Sequence, residues 1–368
     1  MQNKNKSSEL ADRLFPEKSA GDVNLDILNV PPEKRRLNTE TYDFTVSTLV
    51  DYLNNEHIAI PEFQRGYVWN RSQASRLIES LIINCPIPVV FLSQNADETL
   101  SVIDGNQRLN SIRLFVHNDY PLKGLNAYPE LEGFYFDELD PRFQRHIQNR
   151  TIRCIVILKD THPQIKFDVF ERLNTGSVKL NDQELRHGIY TGLFMDRLEA
   201  LGKNKDFLML TRLKNNKRMK SDELALRFFA LSNGWKQYTK PMVTFLNNYC
   251  SESRNINERA LQELENGFTD TLEKISYVLE RYSFKTYDRT NKNIKFNAAL
   301  YDAQMVAFFE LKLTSKQIDK LKRIDLIAKN SDFINGERFE KFISQATTDK
   351  NAVIGRIRGY KQFISNQL

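Results

Sequence analysis

The chain holds only three cysteines in 368 residues, Cys85, Cys154 and Cys250, far apart and odd in number. That excludes a readable zinc pair or disulfide framework and suits a reducing compartment, so a cytoplasmic location is expected. No run approaches the roughly 20 apolar residues of a membrane span, and the N-terminus lacks the apolar core of an export signal. Glycine and proline are scarce, 14 and 11 residues, which favours helices over loop-rich folds. Histidine is missing from the rest of the chain after His187, the last of five. A nuclease built on a histidine base and histidine metal ligands therefore has no place after that residue.

What is present is a mild basic excess, a formal charge of +6 and a pI near 9.0. This balance is compatible with nucleic acid but does not establish it. The length suggests two domains with real cores. Residues 1–40 are polar and charge-mixed and read as a mobile arm with one short helix at 8–14. Strands and helices then alternate. Helices are expected at 46–54, 72–84 (with Asn70 or Ser72 as cap) and 141–148, and strands at 58–60, 88–93, 100–103 and 151–158. Residues 120–136 read as irregular or hairpin-like. From about 180 onward only helical periodicity remains, at 182–190, 193–201, 221–232, 242–249, 257–281, 297–311, 315–329, 337–345 and 349–363. The stripe Leu261, Leu264, Phe268, Leu272, Ile275, Leu279 has helical spacing and reads as core. The expected organisation is an α+β domain over 41–192 followed by an all-α domain over 193–368.

Two short stretches carry most of the chemistry. Pro61-Glu62-Phe63-Gln64-Arg65-Gly66-Tyr67-Val68-Trp69 and Val102-Ile103-Asp104-Gly105-Asn106-Gln107-Arg108-Leu109 each place a Gln-Arg pair beside a backbone break. In the second, a short strand gives way at Asp104-Gly105 to a helix with apolar Leu109, Ile112, Leu114 and Phe115. A strand-to-helix junction aims amide N–H groups and the positive end of a helix dipole at one point, which suits phosphate. Gly105 permits close backbone approach, and an arginine such as Arg108 can hold phosphate oxygens in a fork. The plainer alternative is that Asp-Gly at a strand end is simply a turn. A third stretch, Phe167 to Gly176, reads as a helix with a glycine stop. It turns Phe167, Phe170 and Leu173 inward and leaves Glu171, Arg172 and Asn174 near its end, on a ligand or as a solvated edge.

Together these motifs closely resemble the GmrSD restriction-system N-terminal domain family, from about Tyr42 to Gly192. The resemblance takes in both Gln-Arg motifs, the Pro86-Ile87-Pro88 turn, the Phe170-to-Gly176 segment and Leu180-Asn181-Asp182-Gln183-Glu184-Leu185-Arg186. One departure is visible. The family usually has glutamine where this chain has Asn106, whose amide reaches one methylene less far. The resemblance implies a ParB/sulfiredoxin-like fold, NTP binding and hydrolysis tied to the Asp-Gly-x-Gln-Arg motif, and a role in bacterial antiviral defence against foreign or modified DNA. Members of the family often carry a His-based nuclease domain after this one; with no histidine after His187, the C-terminal half is not expected to be that nuclease.

On that basis Gly105, Asn106, Gln107, Arg108, Tyr67, Arg172 and Asn174 are expected to contact a nucleoside triphosphate. Gln64 and Arg65 would form a second phosphate clamp, and Tyr67 or Trp69 would stack on the base. Asp104 and Glu171 would hold Mg²⁺ or orient water, as carboxylates do in phosphoryl transfer. The basic segment 203–220, with Lys214, Lys217, Arg218 and Lys220, is the expected DNA contact, against the alternative of a solvated face. Two further readings stay open. The chain is a catalytically silent sensor of nucleotide or DNA, working with a partner nuclease or ATPase subunit or as a homo-oligomer, or it is a metal-dependent nickase using Asp104 and Glu171.

Overall fold

The computed structural model describes residues 36–60, 69–173, 180–213, 216–287 and 294–368, without the side chain of Lys217. Gln64, Arg65, Tyr67, Asn174, Lys214 and nearly all of the expected N-terminal arm lie outside the described residues. The chain divides into two compact units at the Leu180–Asn181 bond.

The first unit is an α+β fold around a mixed five-stranded sheet in the order β1-β5-β3-β4-β2. Strand β1 (Thr39–Thr45) runs antiparallel to β5 (Thr151–Ile157), and β5 lies parallel to β3 (Val90–Gln94). Strand β3 is antiparallel to β4 (Leu100–Asp104), which is parallel to the two-residue β2 (Ile58–Ala59). Alternation along the strands decides which face is dry. Val90, Leu92, Val102, Ile152, Cys154 and Val156 join one core with apolar residues of helices α1 (Val46–Asn54), α2 (Arg71–Ile82), α3 (Asn106–Val116) and α4 (Pro141–Asn149).

Helix α2 starts where its cap allows. The Asn70 side chain accepts from Gln73 N at 2.9 Å, and the Gln73 side chain accepts from Asn70 N at 2.9 Å. The irregular stretch after Tyr120 is shaped by two carboxylates. Glu79, 5 % exposed, accepts from the amides of Asn126, Ala127 and Tyr128, and Glu132 accepts from those of Gly124 and Leu125. These bonds supply the backbone partners that neither helix nor strand provides there. Helix α5 (Pro163–Leu173) closes the described part of this unit.

The second unit is helical. It begins with α6 (Asp182–Ile189), capped by Asn181 and Glu184, and continues through α7 (Leu193–Gly202), α8 (Lys205–Thr211), α9 (Lys220–Gly234) and α10 (Met242–Ser253). Helix α11 (Glu258–Leu279) buries the stripe Leu261, Phe268, Leu272, Ile275 and Leu279, while Leu264 is half-buried. Helix α12 (Ala298–Leu311) is apolar on nearly every side and lies at the centre, with Ala299 to Phe308 all buried. Its only strands among the described residues are the pair Lys285–Thr286 and Lys295–Phe296.

Two sequence expectations change here. The helix expected at 315–329 is two, α13 (Ser315–Arg323) and α14 (Leu326–Ile334), because Asp325 adopts a left-handed backbone (φ 52°). Helix α8 was not anticipated within the basic segment 203–220. The last helices are α15 (Glu337–Ser344) and α16 (Lys350–Ser365).

Candidate functional site

The junction between β4 and α3 is set by Gly105. Its φ is +106°, and a Cβ there would stand 2.8 Å from Val90 Cγ2 on the adjacent strand, so both backbone and packing require glycine. Helix α3 opens directly after it with no side-chain cap. The first-turn amides of a helix have no partner within the helix, and the macrodipole favours an anion at that end.

Arg108 is turned onto the protein itself. Its guanidinium donates to the carbonyls of Pro88 and Val89 (3.2 Å to the latter) and to Asp104 Oδ2 at 2.6 Å. Its side chain is 12 % exposed, whereas that of Asp104 is 40 % exposed. The fork expected to hold phosphate oxygens thus clamps the β4–α3 turn to the segment leading into β3, and its partner Asp104 is the more accessible group. Gln107 accepts from Trp69 N at 3.3 Å. That bond fixes the end of the first Gln-Arg motif beside the start of the second, since Trp69 follows Arg65 by four residues.

Sequence reasoning missed a polar ladder on α3. Asn106 Oδ1 accepts from Asn110 Nδ2 at 2.6 Å, and Asn110 Oδ1 accepts from an Arg113 amino group at 3.1 Å. The three residues sit at i, i+4 and i+7 and share one helix face, nearly opposite Arg108. The signal was present as polar spacing that continues inward from the motif, on a helix read only for its apolar positions.

The remaining candidates lie apart from this turn in their described contacts. Glu171 and Arg172 are exposed near the end of α5. Among the described residues no three His, Cys, Asp or Glu side chains gather as a metal set. The chemistry of Asp104 still fits magnesium that arrives on a triphosphate, because Mg²⁺ commonly takes one or two carboxylates with substrate phosphates and water. Cys154 is buried, and burial pushes its thiol up to about 12, so it is no thiolate at neutral pH.

Of the expected DNA contacts, Arg218 is committed. It donates to Glu184 from Nε (3.2 Å) and an amino group (2.8 Å), and its carbonyl accepts from Asn181 at 2.8 Å. Lys220 is exposed at the start of α9. A basic face that the sequence reading passed over lies on α13, where Lys316, Lys320 and Arg323 recur at i, i+4 and i+7 opposite buried Ile318 and Leu321. Lys320 bonds the Leu368 carbonyl. Beside this face the exposed Tyr277 donates to Asp319 at 3.3 Å, and Lys322 lies over its ring.

Compared with known protein families, residues 46–191 match the GmrSD restriction endonuclease N-terminal domain. The match takes in both Gln-Arg motifs of the sequence and ends just after α6, the first helix of the second unit. No curated protein and no solved structure matches the chain. Among the described residues no helix is long and apolar enough to cross a membrane.

Proposed function

Taking residues 46–191 as a GmrSD restriction endonuclease N-terminal domain, we propose that this chain binds and hydrolyses a nucleoside triphosphate as a component of a restriction system acting on DNA. The observation that carries the reading is the Gly105 turn, where a left-handed glycine with no room for a side chain opens α3 beside an accessible carboxylate.

Phosphate oxygens accept from the first-turn amides of α3, helped by the helix dipole. Asp104 meets the magnesium that accompanies the triphosphate, or orients the attacking water. Arg108 is then a positioning residue: it holds Asp104 and the carbonyls of Pro88 and Val89 in one arrangement, which preorganises the turn at no cost during reaction. Gln64 and Arg65 are retained as the second phosphate clamp, because Trp69 N is tied to Gln107.

The test is NTP hydrolysis in Mg²⁺ by the wild type and Asp104→Asn, with and without DNA. Wild-type turnover that falls about a hundredfold or more in the variant is the expected result. Unchanged turnover in Asp104→Asn contradicts it. The commitment of Arg108 to the protein's own backbone favours a second reading, binding without turnover, and tight NTP binding with no hydrolysis in either protein would select that one.

For the DNA partner we propose the α13 face. Three cations on one exposed face, about 10 Å from first to last along the helix, can follow a phosphate backbone. The triple variant Lys316→Glu/Lys320→Glu/Arg323→Glu is expected to weaken DNA binding at low salt. It should also flatten the dependence of log K on log salt by about 2–3 in slope. An unchanged slope would place the DNA contact elsewhere.

A further inference from the structure

A cavity of about 400 Å³ opens beside the polar ladder of α3, and nothing in the nucleotide reading so far uses it. Leu53, Ile58 and Ile60 supply apolar walls, and Glu56, Asn110 and Arg113 supply the polar groups. The size falls in the lower part of the range of small-molecule sites, roughly 300–1,000 Å³, and apolar walls with a few convergent polar groups are the usual make-up of such sites.

Two of these polar groups are charged. Arg113 is half-buried and, among the described residues, makes one side-chain hydrogen bond, to Asn110, and no ion pair, although Glu56 lines the same cavity. The rest of its guanidinium fork is uncommitted, in a place where a charged donor ordinarily finds an acceptor. Glu56, exposed in the turn that ends α1, brings a carboxylate to the same cavity.

We infer that this cavity holds the base of the nucleotide and selects guanine; the inference rests on the nucleotide reading and adds the identity of the base. Apolar walls suit the faces of a ring. An arginine fork pairs with the adjacent N7 and O6 acceptors of guanine, whereas adenine offers an N6 donor beside its N7 and repels the fork. A carboxylate accepts from the N1 and N2 hydrogens of guanine, whereas N1 of adenine is an acceptor and opposes it. Cytosine and uracil lack the N7–O6 pair altogether. The ladder also links this cavity to the phosphate turn. Arg113 lies seven residues beyond Asn106 on the same face, about 10 Å along the axis, so base and phosphates of one nucleotide can occupy the two places.

The experiment is equilibrium binding of GTP, ATP, CTP and UTP, each with Mg²⁺, to the full chain, then to Glu56→Gln and Arg113→Lys. GTP is expected to bind the wild type at least about tenfold tighter than the other three. Each variant should lose that preference, with GTP affinity falling about tenfold or more toward that of the other three nucleotides. Four equal affinities in the wild type, or variants that weaken all four nucleotides alike, would overturn the guanine site and leave the nucleotide reading standing. Binding of none of them would remove both. The wild-type comparison does not depend on how well the variants fold.

Discussion

Asp302→Ala is expected to destabilise the helical unit by about 3–5 kcal/mol, because it leaves two buried arginines without their shared carboxylate. Asp302 is fully buried on α12. It accepts from Arg227 through Nε (3.0 Å) and an amino group (2.5 Å), and from an Arg356 amino group at 2.6 Å. The Arg356 side chain is fully buried and also donates to the Thr347 carbonyl, while its Nε has no partner among the described residues. Removing the acid brings two like charges together in a low dielectric, where neither can shed its proton. Replacing all three by apolar residues of similar volume should cost far less, since a buried ion cluster pays back little more than its own desolvation. Urea unfolding of the full chain checks both. A loss under about 1 kcal/mol for the single variant would show that water reaches the guanidinium groups.

Asp222→Asn is expected to act in the opposite direction. The carboxyl is fully buried at the start of α9, accepts from Asn216 Nδ2 at 2.6 Å, and has no partner for its second oxygen among the described residues. Gly202 leaves it space, since a Cβ there would fall 1.7 Å from Asp222 Oδ1. Burial pushes its pKa up to about 7, with Glu199 adding to the rise and the Asn216 bond and Lys203 opposing it. Because the folded value lies above the unfolded one, near 4, the protonated acid contributes stability below about pH 4. That contribution is lost as pH rises through about 7. Above that the cost is on the order of 4 kcal/mol. Asparagine keeps an acceptor for Asn216 and removes the charge. The variant should therefore unfold at higher urea than wild type at pH 8.5, and show a flatter stability profile between pH 5 and 8. Parallel profiles would contradict the assignment.

Much of this architecture was legible because it is local. The short apolar stretches 100–103 and 151–158 marked β4 and β5, Asn70 was one of two caps offered for α2, and Asp104-Gly105 before an apolar-periodic run marked the β4–α3 junction. What stayed hidden depends on pairings across the chain. Arg108 looks like a ligand-binding arginine until the carbonyls of Pro88 and Val89, some twenty residues earlier, are brought to it. Arg218 looks like a DNA contact until Glu184 arrives, 34 residues away in sequence. Helix α6, read from its motif as the end of the first domain, groups with the second unit. Arg113 had no motif to recommend it, and only the cavity gives it meaning.

The account centres on the Gly105 turn as the place where a triphosphate sits. Hydrogen exchange of the full chain, with and without a non-hydrolysable NTP analogue and Mg²⁺, tests that location most directly. Slowed exchange at the amides from Gly105 to Leu109 is the predicted result. Unchanged exchange there, with slowing confined to another segment, would contradict it.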